Sequence, residues 1–201
     1  MNERDVRLKL TAKAVTLQLQ LIESDEDLTT LVFAEPNLRE GLVETPMRVA
    51  KAMEHWFSGY GKDAGEILKV FEDGASGYDQ LVVVANIPFY SKCEHHMADI
   101  FGTVSVGYIP SGQIAGLSKF SRIVDMYARR LQVQERLTTN IADALVTHLS
   151  ADVAVVVKAR HMCMESRGVC QQGHHTVTSS MQGLLRSDPT VRAEFMSLIQ
   201  L

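Results

Sequence analysis

The order of elements read from the sequence points to an α+β fold: helices, two strands, two helices, two strands and a closing helix. Three observations carry this. Leu8, Ala12, Val15, Leu19 and Ile22 recur at steps of three and four, the period of an amphipathic helix. Residues 81–90 are rich in Val, Ile and Phe, and Val104, Val106 and Tyr108 alternate within residues 101–109, so the period there has become that of strands. Leu137, Ile141, Leu145 and Leu149 then restore a helical stripe.

Taken in order, the first helix is expected over residues 5–22. Ser24-Asp25-Glu26-Asp27 breaks it, and a short helix follows around residues 28–33. Thr45 precedes Pro46, a favourable first helical residue after a hydroxyl. Arg48, Val49, Ala52, Met53 and Trp56 continue that helix until Gly59-Tyr60-Gly61 ends it. Residues 73–77 read as a loop, and Pro110-Ser111-Gly112 closes the second strand. A helix over residues 118–130 turns Phe120, Ile123, Val124 and Tyr127 inward, and a second spans residues 133–149. A strand opens at Val153 and could run to Cys163; another covers residues 176–185. Asp188-Pro189 caps a last short helix. Residues 1–60 thus read as an N-terminal helical region and residues 61–201 as a second domain. Four strands with few covering helices leave sheet edges that call for a partner, so a homo-oligomer is expected.

Composition narrows the function classes. With 46% hydrophobic and 22% charged residues, the 201-residue chain has the make-up of a soluble globular protein. No apolar run approaches a membrane span, and the charged start Met1-Asn2-Glu3-Arg4-Asp5 lacks the core of a signal peptide. The expected location is therefore the cytoplasm, without a membrane partner. A net charge of −4 argues against nucleic acid, so an anionic ligand needs a local basic cluster. Three cysteines are too few, and odd in number, for a disulfide framework.

The sharpest feature is Cys93-Glu94-His95-His96. A thiolate and an imidazole three positions apart can meet on one ion if the strand ends there and the chain turns. His161-Met162-Cys163 supplies a second cluster, and on a strand His161 and Cys163 would share a face. Two cysteines and one histidine leave one tetrahedral position open, the pattern of a catalytic zinc site. Cys170, His174 and His175 are further candidate ligands, and spacing alone does not choose among them. Zinc makes a water nucleophilic near neutral pH, and His95 and His161 lie beside the ligands as candidate proton carriers.

Gly116-Leu117-Ser118-Lys119-Phe120-Ser121-Arg122 opens a helix, where free N–H groups favour phosphate. Lys119 and Arg122 share a helical face, and Arg167 follows the second cluster closely. The glycine spacing is not that of a Walker loop. Gln132-Val133-Gln134-Glu135-Arg136 starts the next helix; Glu135 suits the first-turn dipole, or, if buried, the N1–H and 2-amino group of guanine.

These segments, with Tyr108-Ile109-Pro110, Leu137-Thr138, Ser166-Arg167-Gly168-Val169, Thr45 to Ala50 and Thr176 to Ser179, resemble GTP cyclohydrolase I in the same order, over roughly residues 40–200. The resemblance implies the tunnelling fold: a four-stranded antiparallel sheet with two helices on one face, five subunits closing a barrel and two rings stacking into a decamer. It implies zinc held by Cys93, His96 and Cys163, which leaves Cys170, His174 and His175 outside the metal site. It implies GTP as substrate, with activated water attacking C8, His161 protonating N7 and His95 assisting proton transfer. By the same resemblance Glu135 and Gln134 recognise guanine; Ser118, Lys119, Arg122 and Arg167 hold ribose and triphosphate; and Arg48 and Lys51 help from a neighbouring subunit. The products are formate and 7,8-dihydroneopterin triphosphate. Two stretches depart from the family pattern. Met97-Ala98-Asp99-Ile100 stands where Pro-Phe is common, which puts Asp99 near the metal, and the run from Cys170 to His175 is unusual.

Two rivals predict different chemistry. A metal-free nitrile reductase of the same fold needs a reactive thiolate without metal. A non-catalytic zinc-stabilised assembly would bind nucleotide and release no formate.

Overall fold

The computed structural model describes residues 2–23, 38–72, 75 and 77–200, with the backbone alone given for residues 20–23. The helix expected around residues 28–33 lies outside the described residues. So does most of the loop at residues 73–77, of which Ala75 and Gly77 lie in turns.

Two compact units divide the chain, Met1–Trp56 and Phe57–Leu201. The first is helical. Helix α1 (Glu3–Glu23) buries Ala12 and Val15, and helix α2 (Thr45–Trp56) buries Pro46 and Ala50. Arg4 clasps Glu54 with two hydrogen bonds, Nε to Oε1 at 2.9 Å and Nη2 to Oε2 at 2.8 Å, tying α1 to α2.

The second unit begins with the short helix α3 (Ala64–Ile67), capped by the Asp63 side chain. Strands β1 (Val70–Phe71) and β4 (Ile114–Ala115) form a small antiparallel pair. The main sheet is built from β2 (Val82–Cys93), β3 (Asp99–Tyr108), β5 (Leu131–Gln132), β6 (Val153–His161) and β7 (Thr176–Met181). Their order is β5-β2-β3-β6-β7. Helix α4 (Ser118–Ala128) links β4 to β5, and helix α5 (Gln134–His148) links β5 to β6. A short α6 (Met162–Glu165) follows β6, and α7 (Leu184–Ser187) and α8 (Pro189–Leu198) close the chain.

Alternation along the strands sorts side chains between two faces. Ile87, Phe89, Val104, Val106, Val155 and Val157 face one way and pack with Phe120, Ile123 and Val124 of α4 and Leu137, Ile141 and Leu145 of α5. Ala154 and Val156 face the other way and meet Leu185 and Phe195. Strand β6 is thus buried on both sides, which explains its unbroken apolar run.

The α+β class matches the expectation, but the sheet has five strands rather than four. The extra strand, β5, pairs in parallel with the end of β2 through Lys92↔Leu131 and Cys93↔Gln132. Two residues are too few for a period of two to show in sequence. Nor are helices confined to one face, because Leu185 of α7 and Phe195 of α8 pack on the other. The last strand stops at Met181, well short of residue 185: Gly183 turns the chain with φ 55° and α7 begins.

At Gly102 the strands approach too closely for a side chain. A Cβ there would lie 2.0 Å from the carbonyl oxygen of Lys158 on β6. Because the obstacle is backbone, Gly102→Ala should cost about 3 kcal/mol and lower the thermal midpoint by roughly 6–12 °C. Differential scanning calorimetry reads this directly, and a parent-like midpoint would contradict the close approach.

Candidate metal centre and its surroundings

Strand β2 ends at Cys93, and the chain reverses within five residues before β3 begins at Asp99. The reversal is closed by backbone hydrogen bonds, Cys93 N to Ala98 O at 2.8 Å and Met97 N to Cys93 O at 2.7 Å. Met97 takes the left-handed conformation, φ 54°, which a residue with a Cβ adopts at a cost. This turn brings Cys93 Sγ to 3.8 Å from His96 Nδ1. On the other side, the Glu94 N–H donates to Gln132 O at 3.0 Å, so β5 pins the turn to the sheet.

The third member arrives from β6. Ile100 pairs with His161, which sets the end of β6 beside the start of β3. The strand stops at His161, and Cys163 lies on the helical turn α6, so the expected shared strand face of His161 and Cys163 does not occur. The thiol converges all the same. The ligand atoms of Cys93, His96 and Cys163 all lie within 4.8 Å of one another, and these residues are the single such group among the described residues. Cys170, His174 and His175 do not form a second one; Cys170 is exposed, with φ 51°.

Two thiols and an imidazole at this spacing fit a soft, tetrahedral divalent ion with one position to spare. Burial, and then the neighbouring Cys93 thiol, push the Cys163 thiol up, while the Arg167 charge pulls it partly back. A bound cation would reverse that balance, because a coordinating thiol loses its proton outright.

His161 is held from behind. Its Nε2 lies 2.7 Å from Oε1 of Gln134. An amide oxygen only accepts, so Nε2 carries the proton and Nδ1 is left for other work. Gln134 is itself locked: it is 2% exposed, and its nitrogen approaches Val157 O, Thr176 O and Thr178 Oγ1 at 3.1, 3.0 and 3.1 Å. Burial depresses the His161 pKa, with the nearby Glu135 carboxylate opposing it. His95 is exposed and lies 3.8 Å from Glu94, whose carboxyl is held below its usual range by Arg136.

The remaining candidates sort by place. Glu135 is exposed on the first turn of α5, and Arg167 is exposed after α6. Ser118 and Lys119 open α4, Ser118 exposed and Lys119 half-buried. Arg122 lines a cleft of about 370 Å³ with Lys62, Ile67, Ser121 and Asp125, a lining that includes none of the three metal-site residues. Arg48, ion-paired with Glu44, and Lys51 belong to the first unit. Sequence reading gave no role to Arg136, which pairs with Glu94, to Arg160 and Glu165, which pair with each other, or to Thr178, which meets Gln134 and Thr138. Their partners are distant in sequence, or five apart, and follow no helical spacing.

The model of the family described as GTP cyclohydrolase I matches residues 25–200. A GTP cyclohydrolase 1 of Janthinobacterium sp. (strain Marseille) is 57% identical over 161 residues, 80% of this chain and 81% of that protein. One of Nitrosospira multiformis is 52% identical over 163 residues, 81% of this chain and 85% of that protein. One of Dehalococcoides mccartyi is 45% identical over 184 residues, 90% of this chain and 96% of that protein.

The convergence has a direct test in metal content. Purified chain should take up a divalent transition metal, measured by plasma mass spectrometry after dialysis. Cys93→Ser and Cys163→Ser should lose it, whereas Cys170→Ser and His174→Ala should retain it. Loss in the second pair and not the first would move the ligand set.

Proposed function

The chain belongs to the GTP cyclohydrolase I family, and from that premise we propose that it hydrolyses GTP to formate and 7,8-dihydroneopterin triphosphate at the Cys93–His96–Cys163 centre. The observation that carries the reading is the convergence of these three ligand atoms beside a histidine whose tautomer is set by a buried amide. The donor set fits zinc, which when bound supplies the Lewis acidity that makes a water nucleophilic near neutral pH.

The protein's own groups account for the rest. His161, when doubly protonated, delivers its Nδ1 proton to N7 of the guanine and regains one from the water that adds to C8, as the C8–N7 or C8–N9 linkage opens. With Nε2 tied to Gln134, Nδ1 is the nitrogen free to face the substrate. His95, exposed on the β2–β3 turn, carries protons during ring opening and at the ribose. A second water releases formate; the opened ribose undergoes an Amadori rearrangement, and closure of the new ring expels water. Overall, one water is consumed for each formate released.

Glu135 recognises the N1–H and 2-amino edge of guanine, supported by Gln134 next to it. Ser118, Lys119, Arg122 and Arg167 hold the ribose and triphosphate, with Arg48 and Lys51 supplied by a neighbouring subunit. Residues 61–201 form the catalytic domain, with the tunnelling fold, and residues 1–60 a helical region. Strand β2 pairs with β5 only at Lys92 and Cys93, and β7 closes the other side of the sheet. These two edges suit pairing between copies, five to a ring and two rings to a decamer. No described helix is long and apolar enough to cross a membrane. The enzyme acts in the cytoplasm, without membrane or nucleic-acid partners.

Zinc-loaded protein given GTP should release formate and build the dihydropterin absorbance together. His161→Ala should slow both by about 10²–10⁴-fold with zinc content unchanged. A zinc-loaded assembly that binds GTP and yields neither product would leave the non-catalytic reading in its place.

A further inference from the structure

Cys163 sits on a four-residue turn that cannot hold its own shape. Helix α6 is one turn long, and such a segment has no independent stability in water. Something must fix the direction of its thiol.

Arg160, the penultimate residue of β6, spans this turn. Its Nε donates to Glu165 Oε1 at 2.9 Å, and its Nη2 donates to Glu165 Oε2, a two-pronged ion pair. The Glu165 side chain is 4% exposed and that of Arg160 is 40% exposed. Both hydrogen bonds described for the carboxylate come from Arg160. On its other side the guanidinium lies over Phe101, 5.4 Å from the ring centroid. Phe101 is the Cα partner of Arg160 on β3, and it stacks on Tyr90 of β2 at 6.1 Å. A row of three side chains across three strands thus ends in a carboxylate two residues beyond Cys163.

We propose that Arg160 and Glu165 are positioning residues for the metal centre, clamping the α6 turn to the sheet so that Cys163 meets Cys93 and His96. The inference rests on the reading of those three residues as metal ligands. Metal coordination tolerates displacements of only about 0.2 Å. Removing either partner strands a nearly buried charge or frees the turn, and the thiol two residues away shifts with it. Groups that orient ligands without touching the metal typically govern about 10–100-fold in affinity.

The test uses the full chain in its native assembly. Zinc affinity is measured by competition with a chromophoric chelator, and ligand geometry by the absorption of the cobalt(II)-substituted protein. Glu165→Gln and Arg160→Met should each weaken zinc by about 10–100-fold and alter the cobalt bands. Arg160→Lys, which keeps the charge and loses the fork, should fall between these variants and the parent. Parent-like zinc affinity and cobalt bands in Glu165→Gln would overturn the proposal whatever happens to thermal stability. That variant keeps the side chain's shape, so it decides the matter should Arg160→Met not fold. A parent chain that takes up no zinc would overturn both this inference and the function it rests on; a zinc-binding parent with parent-like variants would overturn this inference alone.

Discussion

Lys92 pairs with Asp99 and Ile100 pairs with His161, so the turn between β2 and β3 and the end of β6 finish at the same end of the sheet. This register is the constraint from which the rest follows. It is pinned by the inward row of Ile87, Phe89, Val104, Val155 and Val157, packed under α4 and α5. A slip of one residue would turn that row outward and carry the Cys93 side chain to the opposite face. The packing that stabilises the sheet and the geometry that assembles the ligands are therefore one arrangement.

A second constraint works from the helix side. Gln134 opens α5, yet its side chain reaches β6 and β7 and then His161. Thr138, one turn on, bonds the Gln134 carbonyl and meets Thr178 at 2.6 Å. The start of α5 is thus fastened to the sheet by polar groups as well as by the apolar packing of Leu137. Such a network directs a side chain more sharply than packing alone. Its exposed neighbour Glu135 is fixed in position by the same anchor.

Much of this could be read from the residues. The long helices and strands announced themselves by period, and Asp188 caps α8 as its place before Pro189 suggested. Cys93 and His96 were legible because a chain that turns at the end of a strand can bring residues three apart together. What escaped was whatever lacks a repeating pattern: the two-residue β5, the one-turn α6 that replaces strand at Cys163, and the Arg160–Glu165 clamp. Short elements are dictated by their surroundings rather than by their own sequence. The choice of Cys163 over Cys170 likewise depended on family resemblance, and the convergence at Cys163 is a product of tertiary structure.

The two thiols of the centre stand about seventy residues apart in the chain, joined only once β3 and β6 have paired. An unfolded or emerging chain offers a metal only short local pairs such as Cys93 with His96 or His161 with Cys163, each a weak two-point chelate. The three donors come together only where the folded sheet sets the end of β6 beside the β2–β3 turn. The long detour of the chain between Cys93 and Cys163 thereby makes the complete three-donor set a property of the folded chain alone.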